Sequence, residues 1–131
     1  MRNDYDYVKE ILDVFLEHPL PTVNWDEFSK LKDLDEHKFV HHMEILIDKG
    51  LICAIWPDSS LNFSRRHDSY MYPGSPIRLT ADGHDFASEL NSSDTLKVIT
   101  GRFKEEGLSV VIDVAKKLAK SRIEKELEKL V

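Results

Sequence analysis

Residues 33–56 read DLDEHKFVHHMEILIDKGLICAIW, and a change of rhythm inside this stretch decides the fold class. Its first half spaces Phe39, Val40, Met43, Leu46 and Ile47 at helical intervals, since side chains three and four residues apart share one face of an α-helix. Asp33 followed by Glu36 resembles a capping box, and Gly50 is the residue type that closes a helix in the left-handed conformation. A helix over about 35–49 is expected. From Leu51 to Trp56 the chain is continuously apolar with β-branched and aromatic members, which reads as a short strand.

Upstream, Val8, Ile11, Leu12, Phe15 and Leu16 face away from Asp6, Glu10, Asp13 and Glu17. This predicts an amphipathic helix over about 4–18, ended by Pro19 and Pro21. Asn24 can cap a second helix over about 25–32, with Asp26 and Glu27 in the first turn, where the helix dipole favours acids. Downstream, Ile77-Arg78-Leu79 offers the first strand a partner, giving strands over about 51–57 and 76–80. Some twenty residues rich in Ser, Pro, Asp and Tyr lie between them, longer than an ordinary hairpin connection. Thr80 can cap a helix over 81–90 carrying Phe86, Ala87 and Leu90. The remainder, 91–131, reads as two further helices: one with Leu96, Ile99 and Phe103, and one opened by Ser109. The last helix carries Leu108, Ile112, Ala115, Ala119, Ile123, Leu127 and Leu130 at about 3.7 residues per step, the spacing of a straight packed helix.

The expected fold class is therefore mainly α with a small antiparallel β-hairpin. Three helices followed by a two-stranded ribbon is the order of a winged helix-turn-helix core, here residues 1–90, with a C-terminal helical extension over 91–131 packing on the core or on a second copy. The opening Met1-Arg2-Asn3-Asp4-Tyr5-Asp6 with Ile11-Leu12, the central segment from His42 to Ile52, and Arg78-Leu79-Thr80-Ala81-Asp82-Gly83-His84-Asp85-Phe86 together resemble the DUF2513 family of bacterial and phage proteins. The segment 94–107 and the final helix also fit its pattern, so the resemblance covers nearly the whole chain. It implies a winged-helix-like protein of a prophage or other mobile element, and no particular activity.

Composition bounds the function. The 131 residues are 41% hydrophobic and 32% charged, with five glycines and five prolines, which excludes collagen-like, low-complexity and wholly disordered classes. No apolar run reaches membrane-spanning length, and the charged beginning does not resemble a signal peptide; a cytoplasmic setting without membrane contact is expected. The lone Cys53 excludes an internal disulfide framework. Lys and Arg against Asp and Glu number six to twelve over residues 1–50, four to six over 51–100 and eight to six over 101–131, for a net charge of −6. A polyanion binder ordinarily carries a basic face.

On the third helix, His37, Lys38, His41, Glu44 and Asp48 are expected to turn outward. One Lys against two acids makes a poor base-reading surface, for which Arg, Lys, Asn or Gln are the usual means. A solvated or protein-contacting face is the better reading. In the long loop, Arg65 and Arg66 with Tyr70 and Tyr72 can supply wing contacts to a phosphate backbone, and equally the Arg and Tyr anchors of a protein interface. His37 and His41 have a spacing that can chelate zinc, with Glu44 one turn on, but no further ligands complete a site; neither metal nor cofactor is expected. Phosphate-cradling loops, a nucleophile elbow and metalloprotease motifs are missing, and Cys53 sits in an apolar run, so no enzyme is expected. Ile112, Ala115, Ala119, Ile123 and Leu127 are the expected oligomer face of the last helix. The leading expectation is a non-enzymatic protein-interaction or regulatory module with an unidentified protein partner and a homodimer through its C-terminal helix. The alternative is a dimeric DNA-binding transcriptional regulator using Arg65 and Arg66.

Overall fold

Asp4 stands just outside the first helix in extended conformation, and its carboxylate accepts the Tyr7 N–H, satisfying one of the donors every helix start leaves free. In the computed structural model, which describes residues 1–131, α1 runs Tyr5–Glu17 and buries Tyr5, Tyr7, Val8, Ile11, Leu12 and Phe15. His18 is already extended, as the residue before a proline is biased to be. Leu16, expected on the apolar face, stays exposed.

The second helix is composite. Asn24 precedes a 3₁₀ turn, Trp25–Phe28, without making a side-chain cap, and the chain continues as α2, Ser29–Leu34. α3 spans Glu36–Asp48, and its cap is Asp35, whose side chain accepts the Lys38 N–H. The box expected from Asp33 therefore does not form; Asp33 lies inside α2. Gly50, at φ 70°, closes α3: its N–H reaches Ile47 O and the Leu51 N–H reaches Leu46 O, the paired bonds of a Schellman ending.

The ribbon is shorter than expected and more elaborate. β1, Ile52–Ala54, pairs antiparallel with β4, Ile77–Leu79, with Cys53 opposite Arg78. Val23 forms a bridge on the other edge of β4, exchanging both backbone hydrogen bonds with Ile77. The long connection itself contains a second hairpin: β2, Ser64–Arg66, with β3, Ser69–Met71, joined by His67 and Asp68. His67 has φ 27°, as two-residue hairpin turns demand positive φ. At the foot of this arm Phe63 and Tyr72 close edge-on around Trp25, and the Trp25 indole N–H donates to Ser75 O.

α4, Ala81–Leu90, starts at Thr80, whose hydroxyl both accepts the Gly83 N–H and donates to Gly50 O. α5 spans Ser93–Arg102, capped by Ser92. α6, Leu108–Lys129, begins one residue before the expected Ser109, from Gly107 and without a side-chain cap. The chain is thus mainly helical with two small two-stranded antiparallel sheets. One apolar core runs through α1, α3, β1, β4, α4, α5 and the start of α6. No helix is long and apolar enough to cross a membrane.

Candidate functional site

Two surfaces bring together the side chains singled out in the sequence. The first is the outward side of α3. Because β2 and β3 fold back toward it, Arg65 pairs with Glu44, Tyr70 lies 2.7 Å from His37 Nδ1, and the Tyr72 hydroxyl donates to Glu36 at 2.9 Å. Arg65 also lies over the Tyr70 ring. The helix face and the hairpin, expected to be separate contact surfaces, meet through these side chains, with His37 and Arg65 still exposed. Opposite charge explains it: the helix side presents Glu36 and Glu44, and the hairpin presents Arg65. At the tip Arg66, His67 and Asp68 are left exposed without an ion-pair partner.

Three expected contact residues are corrected by this geometry. Tyr72 is a pillar of the aromatic cluster, stacked on Phe39, and burial with the Glu36 carboxylate pushes its phenol well above the ordinary range. Lys38 is half-buried; its ammonium pairs with Asp4 at 2.8 Å and lies over the Tyr7 ring. Burial acts to raise the Asp4 carboxyl, yet hydrogen bonds from Lys38 and the Tyr7 N–H outweigh it and hold Asp4 below its ordinary value. His41 turns to Asn3 at 2.9 Å while His37 turns to Tyr70, so the two imidazoles do not converge. No group of three or more His, Cys, Asp or Glu side chains comes together. Asp48 is exposed at the end of α3.

His42 is fully buried. Its Nε2 accepts the Asp4 N–H at 2.9 Å, which leaves Nδ1 to donate to Lys38 O at 2.7 Å. That pair of bonds selects the neutral tautomer. Burial holds its pKa below the ordinary value against the opposing carbonyl contact.

The second surface lies between α4 and α6. Leu108, Val111 and Ala115 are buried against the body. Ala115, expected to face another copy, is only 2% exposed, because it belongs to the turn of α6 that rests on the core. Ile112 and Ala119 are half-buried beside it. Further along, Arg122 makes two parallel bonds to Glu89, at 2.7 and 2.8 Å, and Thr95 donates to the same carboxylate. Glu89 is buried, and the Arg122 bonds hold its carboxyl below the ordinary value. Arg122 is thus a bracket between α6 and α4, whereas Lys116, Lys117 and Lys120 are exposed.

Beside the bracket lies a groove of about 790 Å³ with Leu51, Phe86, Ile112, Ala115, Ala119 and Ile123 in its walls. Acids and lysines rim it, among them Asp85, Glu124, Lys49 and Lys120. Ile123 at its edge, Leu127 further along α6 and Leu130 just after the helix are exposed to 55%, 54% and 81%. Periodicity pointed to the α6 wall of this groove but not to the opposite wall, because Leu51 and Phe86 reach it only through tertiary packing. Comparison with protein-family models, with curated proteins and with solved structures returns no match.

Proposed function

We propose that this chain is a non-enzymatic protein-interaction module of winged-helix type, in a regulatory or accessory role, whose contact surface is the α4–α6 groove together with the projecting end of α6. One observation carries the reading: Ile123, Leu127 and Leu130 stand largely exposed in line with an apolar-walled groove. A contiguous apolar strip of this kind, rimmed by charge, is what protein interfaces offer and what isolated soluble chains avoid. The titratable groups on α3 and its hairpin engage each other, an arrangement suited to holding the hairpin in place rather than to transferring protons. The resemblance of its sequence to the DUF2513 family supports a bacterial or phage setting.

A second reading, a DNA-binding regulator, draws on Arg66 and His67 at the hairpin tip. It is weakened by the commitment of Arg65 to Glu44 and by the net charge of −6, since phosphate binding rests on concentrated cations. Affinity capture from the native host, run with the wild-type chain and with Ile123→Glu/Leu127→Glu, tests the first reading. Host proteins retained by the wild type are expected to be lost from the variant. Tight duplex binding that falls steeply with salt and vanishes in Arg65→Ala/Arg66→Ala instead establishes the regulator.

A further inference from the structure

The groove and the helix end beside it are related to one another. From Ser121 onward every residue of α6 is exposed; Arg122 ties the first turn of this stretch to Glu89, and the remainder projects from the body. A helical segment that short has little stability of its own in water, and here it carries three large apolar side chains on one side. On the same side before Ser121 stand Ile112, Ala115 and Ala119, two of them small and all in the groove. Reversing α6 about Ser121 sets Leu127 level with Ala115, Ile123 level with Ala119, and Leu130 level with Ile112. Leu127 and Ile123 of the free half thus meet the small Ala115, which lines the groove though only 2% exposed, and Ala119, while Leu130 meets Ile112.

Charge selects the same arrangement. Lys116 and Lys120 border the groove, and Glu124 follows on the same flank one turn later. In the reversed copy Glu124 comes level with the gap between Lys116 and Lys120. A parallel copy instead stacks isoleucine on isoleucine, turns the Lys120–Glu124 flank away from its counterpart, and aligns the helix dipoles unfavourably. We propose that α6 pairs antiparallel with α6 of a second copy of this chain, so that Ile123, Leu127 and Leu130 of each copy fill the α4–α6 groove of the other. The contact is isologous and closes at two copies. It rests on the reading of the groove as a protein-contact surface and names its occupant.

Sedimentation equilibrium of the full chain over a range of concentrations tests it. A reversible dimer is expected, abolished by Leu127→Glu. Lys116→Glu/Lys120→Glu and Glu124→Lys, all at exposed sites, are each expected to weaken it by about tenfold, and the combined variant Lys116→Glu/Lys120→Glu/Glu124→Lys to restore it. Far-ultraviolet circular dichroism confirms that the variants keep their helix content. A monomer at every concentration, a dimer indifferent to the charge reversals, or a combined variant that fails to recover overturns the antiparallel pairing. If the chain is monomeric yet Leu127→Glu still strips host proteins in the capture assay, only the self-pairing falls. If capture is also unchanged, the contact-surface reading falls with it.

Discussion

Gly83 lies where α4 presses on the carbonyl of Leu51: a Cβ placed there comes within 2.1 Å of that oxygen. The same oxygen accepts the Thr80 N–H, so it cannot swing aside without loss. Gly83→Ala is expected to cost about 3 kcal/mol, the upper range for overpacking, read as a lower denaturation midpoint at unchanged slope. Gly50 differs, since a Cβ there meets open space but the backbone is left-handed. Gly50→Ala is expected to cost only about 1 kcal/mol in the same measurement, the ordinary penalty for a non-glycine residue in that conformation. The motif Leu79-Thr80-Ala81-Asp82-Gly83 was visible in the sequence; the reason for its glycine was not, because the obstructing atom belongs to a residue 32 positions away (83 − 51).

At the scale of elements, α1, α3 and α4 were legible because each concentrates its apolar residues on one face and carries a polar cap or a terminating glycine or proline. β2 and β3 were not. Ser64-Arg65-Arg66 and Ser69-Tyr70-Met71 lack apolar alternation, and the His67-Asp68 turn is not one of the glycine-bearing pairs that announce a hairpin. Their position depends on α3, through Arg65 with Glu44 and Tyr70 with His37. Glu44→Ala/His37→Ala is therefore expected to loosen the arm while the core stays intact. Tryptic cleavage after Arg65 and Arg66 should accelerate with little change in Tm; an unchanged cleavage rate shows that the arm is held by Phe63 and Tyr72 alone. The Arg122–Glu89 bracket was equally hidden, since ion pairs between distant helices leave no periodic trace.

For the whole molecule, acid is the informative perturbation. The unfolded chain takes up protons on histidine near pH 6.5. Burial holds His42 and His41 below that value in the folded state, with the N-terminal charge assisting at His41. Below about pH 6.5 the unfolded chain thus binds more protons, and stability is expected to fall with pH until the folded histidines also protonate. A second loss follows below about pH 4.5, where Glu89, held low by Arg122, resists protonation that its unfolded counterpart accepts. Denaturant titrations across this range should give a two-step profile. His42→Gln is expected to flatten the upper step and Glu89→Gln the lower, whatever each does to stability at neutral pH.

The hairpin lying on α3 also bears on kinetics. A molecule that needs Glu44 and His37 for its own contacts finds both already engaged and must wait for the arm to release them. Its association rate would level off at high ligand concentration, at the frequency with which the arm lifts, and not climb without limit as it does on an open site.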